Sequence, residues 1–125
     1  MPTTTKIVDS SALAAFLFDE PEGEAVTATL RGARLAAPDW LMVELGSVCL
    51  RKLRHTPDAA ERIMLAYGTR TQLGIALHAV DLDAVIALAA STRLSFYDAC
   101  YLWLARQLGA PLVTLDRQLA AAAEA

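Results

Sequence analysis

Lys6-Ile7-Val8-Asp9-Ser10-Ser11-Ala12-Leu13 is the stretch from which the rest of the chain is read. A β-compatible run, Lys6 to Asp9, stops abruptly at an acid, and Ser10 to Phe18 then carries a helical pattern. Strand passing straight into helix is the start of a β-α unit, and the same alternation recurs downstream. Pro21-Glu22-Gly23 punctuates the chain before a second helix, Glu24 to about Leu30. Arg34 to Ala37 predicts a short strand closed by Pro38-Asp39, and Trp40 to Arg54 a long amphipathic helix stopped by Thr56-Pro57. Asp58-Ala59-Ala60-Glu61 opens a helix that carries to about Arg70. Gly74 to Val80 predicts the third strand, Asp81 to Ser91 a helix, and Phe96 to Leu108 another that ends at Gly109. Pro111 to Leu115 predicts the last strand, followed by a short alanine-rich helix. The expectation is an α/β fold with a mostly parallel sheet covered on both faces, whose ligands bind beyond the carboxyl ends of the strands.

Composition narrows the classes. The chain of 125 residues is expected to be one domain, 1–125, with no linker, low-complexity tract or internal repeat. No apolar run approaches the length that spans a bilayer, and the N-terminus lacks a basic-then-apolar signal pattern, so the expected location is cytoplasmic. Cys49 and Cys100 stand alone in apolar stretches without CxxC spacing, which predicts buried thiols rather than a disulfide or a zinc site. The net charge of −3 gives no global pull toward nucleic acid. A mean hydropathy of +0.37 is high for a soluble monomer, and predicts apolar surface covered by another chain.

Four acids carry the functional argument: Asp9, Glu44, Asp98 and Asp116, each embedded in hydrophobic sequence, where an unpaired charge is costly. Clustered carboxylates tolerate one another when a divalent cation sits between them. Three have an equally simple local explanation. Asp9 and Asp116 suit N-caps at strand-to-helix junctions, and Ser95-x-x-Asp98 suits a capping box. Glu44 is different, because Leu41, Glu44, Leu45 and Val48 fall at i, i+3, i+4 and i+7, placing its carboxylate in the apolar stripe of its helix. It is expected past the first turn, as a buried ligand, with a salt bridge to Arg51 as the alternative.

Other chemistries fit less well. His55 and His78 have no neighbouring ligands at zinc spacing, so all-oxygen ligation points to Mg²⁺ or Mn²⁺. Gly46-Ser47 lacks the flanking glycines of a nucleophile elbow. Asp81-Leu82-Asp83 has the strand-then-DxD form of an aspartyl phosphatase, but the only lysines, Lys6 and Lys52, lie upstream of it. Those two acids are expected to cap a helix.

The ordered blocks resemble a known family. Ile7-Val8-Asp9-Ser10-Ser11-Ala12-Leu13 resembles the opening motif of PIN-domain nucleases, and Pro38-Asp39-Trp40-Leu41-Met42-Val43-Glu44-Leu45 their second block. Leu94-Ser95-Phe96-Tyr97-Asp98-Ala99 and Pro111-Leu112-Val113-Thr114-Leu115-Asp116-Arg117 resemble the third and fourth. Size and the lack of extra domains look most like the VapC toxins of toxin–antitoxin pairs. The resemblance implies a three-layer α/β/α fold and a metal-dependent endoribonuclease whose quartet Asp9, Glu44, Asp98 and Asp116 holds Mg²⁺ or Mn²⁺. Thr114 matches the hydroxyl residue that accompanies the last acid. Some relatives carry a further acid there, whereas Arg117, Gln118 and Leu119 follow Asp116 here. The expected partners are RNA, a cognate antitoxin and a second copy of the chain, with the helices Glu24–Leu30 and Trp40–Arg54 forming the antitoxin's groove. Arg93 and Arg117, close in sequence to two of the acids, are the expected phosphate contacts, and Arg51, Lys52 and Arg54 form a second basic cluster. The alternatives are a processing nuclease of the same fold, or a module that grips RNA or a partner without cutting.

Overall fold

The first strand, β1 (Thr5–Val8), is apolar toward both faces, with Ile7 and Val8 fully buried, as a strand covered on both sides must be. It is flanked by β2 (Arg34–Pro38) and, on its other side, by β4 (Leu112–Val113); β3 (Ala76–His78) lies beyond β2. All pairings are parallel, with Ile7 opposite both Ala36 and Leu112, and Pro38 opposite His78. The helices are α1 (Ser10–Leu17), α2 (Gly23–Leu30), α3 (Leu41–His55), α4 (Ala60–Gly68), α5 (Leu82–Thr92), α6 (Phe96–Leu108) and α7 (Arg117–Glu124). This computed structural model describes residues 3–125; Met1 and Pro2, part of the expected domain, lie outside the described residues.

The order β3-β2-β1-β4 means that the chain advances to one side of β1 and then returns to the other. Where that reversal occurs, the loops leaving two neighbouring strands diverge and open a crevice at their carboxyl ends. Here the crevice lies between the ends of β1 and β4. The layers are α/β/α: α1 packs on α2 and α3, with α4 against α3, whereas α6 packs on β1 and β2 and carries α5 and α7. Leu13, Leu41, Leu45, Val85, Leu102 and Leu119 fill the core between them. Cys49 and Cys100 are buried free thiols, as expected. Among the described residues no helix is long and apolar enough to cross a membrane.

Several boundaries differ from the sequence reading. The third strand contracts from Gly74–Val80 to Ala76–His78, because it is an edge strand held only by β2. The last contracts from Pro111–Leu115 to Leu112–Val113, because the amides of Leu115 and Asp116 donate to the hydroxyls of Ser11 and Thr114 instead of a ladder. The helix expected from Asp58 to Arg70 is α only over Ala60–Gly68, with 3₁₀ turns on either side. The cavity at the end of α3, about 380 Å³, is walled by Leu17 and Phe18 from α1 and its end, and by Ile63 and Ala66 of α4.

Candidate acidic site

Asp9 follows β1 directly and is the one buried charged residue among those described, at 3% exposure. Its position is set by the turn from strand to helix: Oδ1 accepts from the amide of Ala12 at 3.0 Å, capping α1. The same oxygen accepts from Ser11 Oγ at 2.7 Å, and Oδ2 accepts from Thr114 Oγ1. Each hydroxyl also works as an acceptor: Ser11 Oγ from the amide of Leu115, Thr114 Oγ1 from that of Asp116, both at 3.0 Å. The result is a closed knot tying the β1–α1 junction to the β4–α7 loop. Even so, burial holds the Asp9 carboxyl above its ordinary value, against the lowering effect of its donors.

The other three acids reach the same edge from separate helices. Asp98 lies in the first turn of α6, its amide donating to the Ser95 hydroxyl at 3.1 Å. The Ser95 cap therefore anchors the turn and leaves the Asp98 carboxyl half-buried. Asp116 caps α7, Oδ1 accepting from Leu119 N at 2.9 Å, and is exposed. Glu44 departs from expectation in two respects. It belongs to the first turn of α3 rather than lying past it, and it is half-buried rather than buried. Its Oε1 accepts from Tyr101 Oη at 3.0 Å. No Glu44–Arg51 bridge forms, since Lys52–Glu20 at 3.3 Å is the one ion pair among the described residues.

The four acids lie within electrostatic reach of one another. Partial burial raises the Asp98 carboxyl, and the charges of Asp116, Asp9 and Glu44 raise it further, in that order. As the side chains lie, no three His, Cys, Asp or Glu groups among the described residues stand close enough to enclose an ion. The donor set is nonetheless all oxygen, carboxylates with two adjoining hydroxyls, which is the chemistry a hard divalent cation takes. Asp81 caps α5 and accepts from Ala84 N at 3.1 Å, as the helix-capping reading expected, and Asp83 follows in the first turn.

Arg93 and Arg117 are both exposed, at the end of α5 and the start of α7. Arg93 adopts the left-handed conformation at φ 64°, a position more often given to glycine. Arg51 and Lys52 line a groove of about 420 Å³ shared with Ser10, Ser11 and Leu115, and thus beside the knot. Two contributors escaped the sequence reading. In the sequence Ser11 stands out only as part of a motif, although Asp-x-Ser at a helix start is a local hydrogen-bonding signature. Tyr101 lies one turn beyond Asp98 in a buried helix, where a lone phenol needs a partner; Glu44 is that partner. Burial and the Glu44 charge push its hydroxyl far above its ordinary value, so it remains a donor.

Residues 6–125 match the family model described as PIN domain. The chain is 31% identical over 119 residues to Ribonuclease VapC3 of Pyrobaculum aerophilum, covering 91% of each protein. Among solved structures it superposes on PAE2754 of the same organism with a TM-score of 0.68 and 26% identity, covering 94% of this chain and 78% of that one. It also superposes on Mycobacterium tuberculosis VapC20, titled a sarcin-ricin loop cleaving toxin, with a TM-score of 0.65, 16% identity and 94% coverage of both chains.

Proposed function

The chain belongs to the PIN domain family, and on that premise we propose that it is a VapC-like, metal-dependent endoribonuclease acting as the toxin of a toxin–antitoxin pair. The observation that carries the reading is the convergence of Asp9, Glu44 and Asp116 on Asp98 at the switch point of a parallel sheet. A pure binding module gains nothing from clustered negative charge beside phosphate.

Asp9, Glu44, Asp98 and Asp116 would hold Mg²⁺ or Mn²⁺. When bound, such an ion supplies Lewis-acid charge to the phosphate and makes water a better nucleophile. The chain's own groups do the rest. The Ser11–Thr114 knot keeps Asp9 fixed while its neighbours change charge, and Tyr101 holds one oxygen of Glu44, leaving the other free. Attack would form a water oxygen–phosphorus bond and break the bond from phosphorus to the 3′ oxygen, which takes a proton from solvent as it leaves. The products are a 5′-phosphate and a 3′-hydroxyl. A carboxylate of the quartet is the group proposed to take the proton from water; His55 stands at the other end of α3, about 16 Å along the helix from Glu44. Arg93 and Arg117, with Arg51 in the adjoining groove, are the cations proposed for the phosphates.

The reading includes a cytoplasmic location, a homodimer and a cognate antitoxin. The support for the dimer and the antitoxin is exposed apolar surface: Val43 and Leu50 on α3, Met64 and Leu65 on α4, and Leu82 and Ile86 on α5. The test is cleavage of a mixed tRNA and ribosomal RNA pool in Mn²⁺ or Mg²⁺. Wild type is expected to give discrete cuts, and Asp98→Asn or EDTA to abolish them, a loss of at least about a hundredfold. Uncut RNA with folded, antitoxin-free wild type would overturn the nuclease assignment.

A further inference from the structure

Tyr97 is the one exposed aromatic residue among those described, with 62% of its surface open, and it immediately precedes Asp98 in the first turn of α6. Its ring stands edge-on to Trp40, centroids 5.3 Å apart and planes at 74°. Trp40 in turn meets Tyr101 at 5.1 Å and 74°, and Tyr101 donates to Glu44. Tyr97 and Tyr101 are one helical turn apart on the same face of α6, while Trp40 leads out of β2 into α3. Three rings and a carboxylate thus form a braced row that runs from solvent to the acidic site. Hydrophobic burial does not require Tyr97 to lie at its outer end, since the core is complete beneath it at Ala99, Tyr101 and Leu102.

We propose that Tyr97, braced by Trp40, is a stacking platform for a nucleobase at the rim of the acidic site. The inference rests on the ribonuclease reading and adds a base-binding residue to it. The cations proposed for the phosphates meet only the charged part of the substrate and leave the uncharged part of each nucleotide without a contact. The face of a base is that part, and aromatic side chains bind it with little dependence on sequence. Tyr97 and Asp98 share the first turn of α6, so a base stacked on the ring would lie at the rim of the acidic site. In an A-form duplex each base face is already covered by its neighbours, so a platform here favours unpaired RNA. Bracing by Trp40 holds the ring in place before the base arrives, which lowers the ordering cost of binding.

The test measures binding of a labelled, mixed-sequence single-stranded RNA, and of the same RNA annealed to its complement, to Asp98→Asn protein. Single-stranded RNA is expected to bind more tightly than duplex. Adding Tyr97→Ala should weaken single-strand binding at least about 5-fold, with the salt dependence unchanged because no phosphate contact is lost. Tyr97→Trp should restore it. Equal affinity with and without Tyr97→Ala would overturn the platform, as would a smaller oligomeric mass for that variant, which would mark the ring as a contact between copies. Wild type that binds single strands through Tyr97 but never cuts would overturn the nuclease reading and keep the platform. Cleavage at an unchanged KM in Tyr97→Ala would do the reverse.

Discussion

Thr114 shows how much can hang on one hydroxyl. It donates its single proton to Asp9 Oδ2, 105 positions away in the chain, and accepts from the amide of Asp116. Replacing it with valine keeps the shape but leaves a buried carboxylate short of a donor, which costs about 1–3 kcal/mol. Thr114→Val is therefore expected to melt several degrees below wild type, with Thr114→Ser close to wild type, by thermal denaturation in EDTA. Equal melting of all three would mean that the hydrogen bond adds nothing. The hydroxyl beside the last acid was legible in the sequence as a motif match, but its main partner, the first acid, was not. Nothing local in Pro111–Asp116 points to Asp9, because that contact exists only once β4 lies beside β1.

Elements are held apart and together by small residues as much as by large ones. Gly23 opens α2 where it passes the end of α1, and a Cβ at that position would run into the carbonyl oxygen of Ala15. Backbone cannot yield as a side-chain tip can, so Gly23→Ala is expected to destabilise the protein by about 1–3 kcal/mol, despite alanine's better helix propensity. Urea denaturation measures it, and a variant as stable as wild type would show that the helices can separate at little cost. The sequence marked this glycine as punctuation between helices, which located the turn but not the contact. Helices were read more closely than strands. Their periodicity runs over many residues, whereas β3 and β4 are so short that their ends are decided by which neighbour takes the next amide.

For the molecule as a whole, assembling the site costs free energy through the burial of carboxylates and their mutual repulsion, a cost the proposed cation would offset. The folded pKa values of Asp9 and Asp98 lie above the ordinary 3.8. Between that value and the raised one, the folded state keeps protons that the unfolded chain has released, so stability falls as pH rises through the window and then levels off. Metal-free protein is thus expected to lose stability on going from about pH 4 toward neutrality, and Asp98→Asn to lose less. At neutral pH, Mg²⁺ or Mn²⁺ at a hundredfold excess over its Kd should stabilise wild type by about 2.7 kcal/mol, on the order of 10 °C in Tm. Asp98→Asn should lack most of that rise while melting no lower than wild type in EDTA. A wild-type Tm indifferent to both ions would remove the quartet's assignment as a metal site.

By itself the sequence determined the alternation of strand and helix, the four acids and the capping chemistry of Asp9, Asp81 and Asp116. These are consequences of local periodicity and of backbone amides that need acceptors within a few residues. It also placed Glu44 on the stripe of its helix that faces the protein. Only the tertiary structure decided what those residues meet: the knot through Ser11 and Thr114, Glu44 held by Tyr101 rather than by Arg51, and the row of rings ending at Tyr97. Each of these joins segments that become neighbours only when the strand order puts β4 beside β1 and packs α6 against the sheet. Strand order is settled by the burial of whole faces, which no single stretch of the chain encodes.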